Sequence, residues 1–305
     1  MEDKLFQEIK KKYENELAKD YEKVLIKRKS GAFGFLGFLC IFIIIFLVCS
    51  SHFMPILVTV LGALSVIMFI LAFKHSKNGL GEDIFLEKYL STVVKDVANS
   101  IFSKATFTLK DTFNCENIYE MSGFETDYDV FDHEITGDLK YGNRDIKVFK
   151  IETQVREKDE DGDVHYETSF AGLFGVMEIN YILDGEIDIN RWGDNPRAFP
   201  KVNMDSVNFN KIYRVYSSDK VLAMQLLTHD VMDEILKLYN KNNGLEFRIV
   251  ENKIYFRIED YLLLGNYAKE AINRKELDRN YTCFLILKEI VDLIEKAMKD
   301  NGLGE

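Results

Sequence analysis

An acidic segment is the densest group of potential metal ligands in this 305-residue chain. Residues 157–163 read EKDEDGD, and hard cations such as Ca²⁺ are commonly bound by carboxylates spaced around a glycine. The segment lacks the longer loop and the final bidentate glutamate of an EF-hand, and it lies between two predicted strands. Turns are rich in Asp and Gly for backbone reasons alone. We therefore interpret the segment as a hairpin tip and predict no metal site there.

The other residue types that carry out catalysis are scattered along the chain. The histidines are His52, His75, His133, His165 and His229. None is spaced from another histidine or a cysteine as zinc ligands are, and the four cysteines contain no C-x-x-C pair. No G-x-S-x-G elbow, Walker loop or dinucleotide fingerprint occurs. The sequence predicts no catalytic residue, cofactor or metal ligand, and it favours a protein that is not an enzyme.

Four residues are candidates for contact with a partner. Phe170, Gly172 and Phe174 form an F-x-G-x-F pattern, in which the glycine marks a strand bend or a close packing contact. The two aromatic side chains belong either to the core or to a groove that takes a peptide. Trp192 lies in a Gly-Asp-Asn-Pro loop, where it is either an exposed contact residue or covers a join between two lobes. These alternatives remain open.

Two apolar runs determine where these residues are held. Residues 32–50 and 53–73 contain no Asp, Glu, Lys or Arg. As helices they would be roughly 28 and 31 Å long, which matches a hydrocarbon core of about 30 Å. Because only two residues join them, they must run antiparallel. We predict a transmembrane hairpin over residues 30–74 that anchors the chain through contacts with membrane lipids.

Basic residues flank the hairpin on one side of the predicted membrane. Lys27, Arg28 and Lys29 precede the first span, and Lys74 and Lys77 follow the second. Because basic flanks stay on the cytoplasmic side, both termini are expected in the cytoplasm. A cleaved signal peptide is the alternative, but the run starts after about thirty residues and a second span follows directly. We predict a two-span protein of a bacterial cell membrane, since the high Lys, Ile and Asn content suggests an AT-rich bacterial genome.

Net charge narrows the choice of partners. The chain carries a formal charge of −11, and such an acidic surface repels phosphate backbones, which argues against nucleic acid. A partner protein or a second copy of the chain is expected instead. Residues 1–29 read as an amphipathic helix with one apolar stripe. That stripe lies in the headgroup layer, or it docks on the cytosolic domain or on another copy.

The remaining chain alternates between strand and helix patterns without βαβ order. Residues 82–102 read as a helix, and residues 282–299 as another at the end of the chain. Predicted strands cover residues 105–109, 118–122, 127–139, 145–156, 164–174, 176–182, 211–216, 245–250 and 253–258. Two further helices are predicted at 220–227 and from 228 to about 241. The fold class is therefore α+β, with a curved antiparallel sheet and packed helices.

The cytosolic part divides at a turn-rich segment. Residues 184–200 contain Asp-Gly, Trp-Gly-Asp-Asn-Pro and a second proline. We predict that they separate a lobe formed by residues 79–183, with a helix and an antiparallel sheet, from a second α+β lobe formed by residues 200–305. Both lobes belong to one cytosolic domain.

Two motifs resemble a known family. Residues 170–174 (FAGLF) and 207–219 (VNFNKIYRVYSSD), with the preceding basic helix and hairpin, resemble the bacterial DUF3137 family. The second motif is the more specific, and the helix after it holds Ala223, Leu227, Thr228 and Met232. The resemblance covers most of the chain. It implies a membrane-anchored protein with no assigned activity, and it supplies no catalytic residues.

Three functions are compatible with these patterns. The leading hypothesis is a membrane-anchored, cytosol-facing binding or scaffolding protein. The first alternative is an unrecognised enzyme that acts on a membrane-proximal substrate. Its available carboxylates are Asp132, Glu134 and Asp219. The second alternative is an accessory subunit of a transport or secretion complex, packed through small residues in its spans. These are Gly34, Gly37 and Gly62.

Overall fold

A computed structural model describes most of the chain. The described residues are 2–49, 55–78, 81–109, 114–125, 127–159, 163–191, 198–241, 244–259 and 274–303. They form two compact units: residues 10–89, and residues 2–9 together with 90–259 and 274–303. We describe each unit by itself.

The first unit is built on two long helices. Helix α1 (Glu2–Cys49) begins before this unit and contains both the predicted amphipathic segment and the first predicted span without a break, over 48 residues. Helix α2 (Pro55–Asn78) contains the second span, and the short helix α3 (Glu82–Tyr89) follows. Both long helices are long and apolar enough to cross a membrane, and only 6% of the apolar window of each is buried.

Glycines have different roles in the helical hairpin. A Cβ on Gly37 would lie 3.1 Å from the ring of Phe69, and Ser65 Oγ donates to the Gly37 carbonyl at 3.1 Å. Gly37 therefore lets the two helices approach. A Cβ on Gly34 or Gly62 would meet nothing within 4 Å, so these two glycines are not used inside the hairpin.

In the described part of the second unit, nine strands form one open antiparallel sheet. In chain order they are β1 (Lys104–Leu109), β2 (Val130–Tyr141), β3 (Arg144–Lys158), β4 (Val164–Glu178), β5 (Glu186–Asn190), β6 (Lys201–Val202), β7 (Arg214–Ser217), β8 (Leu245–Val250) and β9 (Lys253–Glu259). Their spatial order is β1-β2-β3-β4-β9-β8-β5-β7-β6. The pairing of β4 with β9 joins the strands that precede residue 184 to those that follow it. The predicted α+β class with an antiparallel sheet is confirmed.

Several helices pack with this sheet. They are a π-helical turn (Leu90–Val94), α4 (Lys95–Asn99), α5 (Glu116–Ser122), α6 (Val207–Ile212), α7 (Lys220–Leu226), α8 (His229–Lys241) and the long C-terminal α9 (Arg274–Asp300). Side-chain caps explain where two of them begin. Ser206 Oγ accepts from the Phe209 amide at 3.3 Å, and Asp219 Oδ1 accepts from the Val221 amide at 2.7 Å.

Helix α9 packs on one face of the sheet. The ring of Phe284 lies 5.9 Å from that of Phe107 in β1 and 6.0 Å from that of Phe102. Near the other end of α9, Arg144 Nε donates to Glu295 at 2.6 Å. Val148 of β3 and Phe107 both lie beside the Cβ position of Gly137, so Val148 is on the α9 face of the sheet. Neighbouring residues of a strand point to opposite faces, so Phe149 points to the other face.

The N-terminal end of α1 docks within the second unit. The ring of Phe6 stacks on that of Tyr281 in α9, with centroids 4.0 Å apart and planes 4° from parallel. Phe6 is buried. Of the uses open to the apolar stripe, docking on the domain that contains α9 is therefore the one observed for Phe6.

Five differences separate the predicted elements from the structure. Residues 118–122 are helix α5 and not a strand, because the buried positions Cys115, Tyr119 and Ser122 follow helical spacing. The predicted strand at 211–216 begins only at Arg214, since helix α6 continues to Ile212. The separate strand at 176–182 is the end of β4. Residues 186–190, inside the turn-rich segment, form strand β5, and α9 begins at Arg274, before residue 282.

Candidate functional site

An aromatic cluster covers the face of the sheet opposite α9. Its buried members are Cys115, Tyr119, Phe124, Phe149, Ile151, Phe170, Phe174 and Tyr255. Helix α5 supplies Tyr119, whose ring meets that of Phe174 edge to face at 5.0 Å. Phe149 stacks on Phe174 with centroids 5.9 Å apart. Phe174 is therefore a core residue, which is the first of the two roles that its pattern allowed.

Gly172 permits two strands to approach each other. It faces Glu259 of β9, and a Cβ at this position would overlap the carbonyl oxygen of Ile258. The same Cβ would also lie 3.1 Å from the ring of Phe170. The close packing contact expected for Gly172 is thus what the structure shows, and it leaves room for the Phe170 ring.

Beside the cluster lies a polar pocket of about 250 Å³. Its lining residues are Phe124, Glu125, Ser169, Phe170, Gly244, Glu246, Arg257 and Glu259. They come from the segment after α5 and from strands β4, β8 and β9. We call this cavity the pocket.

Two local features aim residues into the pocket. Helix α5 ends at Gly123, which has φ = 66°, so the chain turns and brings Phe124 and Glu125 back over the sheet. In β4, Phe170 pairs with Thr153 while Thr168 pairs with the next residue of β3, which leaves Ser169 as the extra residue of a β-bulge. The Ser169 hydroxyl lies 2.9 Å from Thr153 Oγ1.

A buried ion pair forms one side of the pocket. Arg257 Nε donates to Glu246 Oε2 at 2.5 Å, and the backbone amide of Arg191 donates to Glu246 Oε1 at 2.7 Å. The guanidinium carbon of Arg257 lies 5.1 Å from the ring centroid of Phe124 and 5.3 Å from that of Phe170. Burial lowers the pKa of Arg257, but the charge of Glu246 more than offsets it, so the pKa is raised and the guanidinium stays charged.

Glu125 is fixed by two donors. Its Oε2 accepts from Thr153 Oγ1 at 2.8 Å and from the Tyr119 hydroxyl at 3.1 Å. Burial raises the pKa of Tyr119, and the nearby Arg257 only partly opposes this, so Tyr119 remains a neutral donor. Among the described residues, no donor reaches the other oxygen of Glu125.

Glu259 stands at the open side of the pocket. Its side chain is 47% exposed, and its Oε2 accepts from Arg191 Nη1 at 3.1 Å. Within the described segments, its second oxygen has no hydrogen-bond donor. The pocket thus presents two carboxylates that each keep one unengaged oxygen.

A second buried arginine, Arg248, is hydrogen-bonded to the C-terminal end of helix α5. Arg248 is only 1% exposed, its Nη1 donates to the Ser122 carbonyl at 2.6 Å, and its Nε lies 2.8 Å from Asp188 Oδ1. Glu186 completes this network through Nη2. Arg248 therefore ties the end of α5, and with it Phe124, to strand β5.

The carboxylates predicted for an enzyme have local partners instead. Asp219 caps helix α7, and Glu134 is ion-paired with Lys150. Asp132 Oδ1 accepts from the next backbone amide, that of His133, at 2.9 Å. None of these three residues lines the pocket.

One described group has the spacing of metal ligands. The ligand atoms of Glu157, His165 and Glu167 lie within 4.8 Å of one another, near the tip of the β3–β4 hairpin, and all three residues are exposed. His165 Nε2 is 3.9 Å from each carboxylate. Strands β3 and β4 pair as far as Lys158 and Val164, and the Asp163 amide donates to Asp159 Oδ1 at 2.8 Å, whereas residues 160–162 of the predicted tip lie outside the described residues. That no metal binds here stays a prediction.

The predicted contact residues lie in different surroundings in the structure. Phe170 lines the pocket, whereas Gly172 and Phe174 build the packing behind it. Trp192 lies outside the described residues. The charged lining at Glu125, Glu246 and Glu259 was missed, although acidic residues that alternate with apolar ones in strands would have marked part of it.

Comparison with known proteins identifies a family but no activity. No curated protein and no solved structure matches the chain. The model of a family described as "Protein of unknown function (DUF3137)" matches residues 168–296. The sequence motifs predicted a resemblance over most of the chain, whereas the match covers a shorter region. It includes both motifs and the pocket residues of β4, β8 and β9. Residues 168–296 therefore match DUF3137, a family of proteins of unknown function.

Proposed function

We propose that this protein is a membrane-anchored binding or scaffolding module of a bacterial cell, and that its cytosol-facing domain recruits a partner protein through the pocket. The observation that carries this proposal is the pocket itself. Its polar groups are held in place by neighbours before any ligand arrives, as in binding sites that fix the orientation of a ligand with few polar groups.

The pocket favours recognition over catalysis. Its described lining contains no histidine or cysteine, and its single hydroxyl, on Ser169, pairs with another hydroxyl instead of a base. Nucleophilic catalysis needs a nucleophile within reach of a general base. Arg257 is held between two phenylalanine rings and Glu246, which suits a rigid recognition surface.

The hairpin supports membrane anchoring. Lys27 Nζ donates to the Ser76 carbonyl at 3.3 Å, so the basic flanks of α1 and α2 lie at the same end of the hairpin. Basic residues near span ends favour the cytoplasmic side. We infer that both termini, and the domain that follows α2, face the cytoplasm.

Cross-linking in intact membranes tests the proposal. Membranes that contain the wild-type chain are cross-linked and analysed by mass spectrometry, beside membranes with Ser169→Trp, which fills the pocket. His229→Trp, on the exposed surface of α8, is the matched control. We expect a specific protein partner for the wild type and the control, and its loss in the pocket variant. No specific partner at any growth stage, or equal capture by all three chains, would contradict the proposal.

An accessory role in a membrane complex is a second candidate. One observation favours it: an apolar groove of about 730 Å³ between α1 and α2, bordered by the open glycine Gly34 and by Phe69, Ile70 and Phe73. Small residues let transmembrane helices approach closely. If this candidate is right, Gly34→Leu should break a purified complex, while Ile43→Leu should not. A complex that survives Gly34→Leu would rule out this contact.

A further inference from the structure

We infer that the pocket binds a positively charged nitrogen group, such as the guanidinium of an arginine or the ammonium of a lysine. This inference rests on the proposed function, because it names the chemistry by which the pocket would recognise its partner. A basic protein side chain and a free polyamine carry the same chemistry, and the experiment below separates them.

Charge gives the first argument. Among the described residues, three carboxylates line the pocket, those of Glu125, Glu246 and Glu259, against one guanidinium, that of Arg257. Arg191 supplies a second positive charge at the edge, through its ion pair with Glu259. The site therefore keeps an excess of negative charge, and an anionic ligand would meet a repulsive field.

Hydrogen bonding gives the second argument. Both oxygens of Glu246 already accept hydrogen bonds, from Arg257 Nε and from the Arg191 amide. In the described residues, the unengaged oxygens belong to Glu125 and Glu259. Both are acceptors, and they call for a donor. Thr153 and Tyr119 hold Glu125 in place, so little conformational entropy is lost when a ligand binds it.

Geometry gives the third argument, because the spacing of the carboxylates favours a larger cation over a bare metal ion. The pocket carboxylates do not form a group of three ligand atoms close enough to share one ion. In the described residues, such a group is formed at the β3–β4 hairpin by Glu157, His165 and Glu167. Carboxylates spread around about 250 Å³ suit a larger cation with several N–H donors.

Titration calorimetry tests the inference on the full chain in detergent micelles. The probes are the peptide acetyl-Gly-Arg-Gly-amide, its citrulline analogue, its glutamate analogue, and spermidine. Citrulline keeps the shape of arginine but lacks the charge. We expect the arginine peptide to bind at least tenfold more tightly than the citrulline peptide, and the glutamate peptide not to bind. Tighter binding of spermidine than of the arginine peptide would assign the pocket to a free polyamine.

Matched variants connect the binding to the named residues. Glu125→Gln and Glu259→Gln keep the shape of each side chain, and each should weaken the arginine peptide about tenfold. Glu234→Gln, on the exposed surface of α8, should leave affinity unchanged. Thermal melting confirms that each variant is folded.

The outcomes distinguish the inference from the proposed function. Equal affinity for the arginine and citrulline peptides, preference for the glutamate peptide, or absence of binding by every probe would overturn the inference. If a partner is captured in membranes but Glu125→Gln and Glu259→Gln retain it, the inference falls and the proposed function stands. If the arginine peptide binds as expected but no partner is captured, the proposed function falls and the inference stands.

Discussion

Arg257 and Glu246 face each other across the neighbouring strands β9 and β8, with the arginine Nε 2.5 Å from the glutamate Oε2. Both side chains are largely buried, at 18% and 4% exposure. A buried charge is costly to leave unpaired. This pair therefore fixes the side of the pocket only while both partners are present.

Removing one partner of this pair should destabilise the domain. We expect Glu246→Leu to lower the free energy of unfolding by about 3–5 kcal/mol, because it leaves the Arg257 charge buried without a partner. The double variant Glu246→Leu with Arg257→Met should recover much of that loss. Chemical denaturation measures both, and Lys147→Met, which breaks an exposed pair with Asp138, serves as control. A single variant as stable as the wild type would show that the pair is not buried as described.

Gly172 should tolerate no side chain. A Cβ there overlaps the Ile258 carbonyl, so Gly172→Ala must push β4 and β9 apart. We expect a loss of at least about 2 kcal/mol in the free energy of unfolding, measured by denaturant titration. Thr168→Ala, at an exposed position of the same strand, should change little. Equal stability of both variants would contradict the close pairing of β4 with β9.

Two buried tyrosines should make the domain sensitive to alkali. Burial raises the pKa of both Tyr119 and Tyr213 above the ordinary value of about 10. A group with a raised pKa in the folded state contributes stability below its unfolded pKa, and that stability is lost as the pH rises above it. Each tyrosine should therefore lower the free energy of unfolding by up to about 1.4 kcal/mol for each pH unit above pH 10.

The variant Tyr213→Phe tests whether the loss of stability at high pH comes from a buried tyrosine. Tyr213→Phe removes one titrating group, although it also removes the hydrogen bond to the Leu245 carbonyl at 3.1 Å. The variant should lose stability less steeply above pH 10 than the wild type. Identical slopes would show that Tyr213 does not titrate in this range.

The hairpin should behave as an integral membrane segment. We expect the intact chain to stay in the pellet after washing with alkaline carbonate, because the uncharged segments of α1 and α2 are most stable among acyl chains. Protease added outside intact spheroplasts should leave the domain uncut, whereas permeabilised cells should lose it. Release by carbonate, or digestion from outside, would contradict the proposed topology.

Local patterns were enough to predict much of the second unit. The β8–β9 hairpin was predicted at 245–250 and 253–258, and the structure has it at Leu245–Val250 and Lys253–Glu259, with the turn residue Glu251 at φ = 53°. Helix α7 follows from its cap at Asp219. In both cases the signal lies within a few residues of the element.

Where the local sequence was ambiguous, tertiary contacts determined the secondary structure. Ile118 and Tyr119 suggested a strand by propensity, yet they lie in helix α5, whose Tyr119 is buried against the sheet. The strand β5 lies in a turn-rich segment and is stabilised by pairing with β7 and β8. Neither pairing nor burial can be read from the local sequence.

The pocket could not be predicted because it is assembled from distant segments. Glu125 follows α5, while Glu246 and Glu259 lie in β8 and β9, and the three meet only because β4 pairs with β9. Phe170, a candidate contact residue from the sequence, lines the pocket. Its pattern contains no information about the carboxylates beside it.

Photo-cross-linking from inside the pocket is the most direct test of the central claim, that the pocket recruits a partner at the membrane. A photoreactive amino acid replaces Ser169, or the exposed His229 as control, and intact cells are irradiated. We predict that a discrete adduct with another protein forms from position 169 only. Adducts that are equal at both positions, or an adduct at position 229 alone, would contradict the claim.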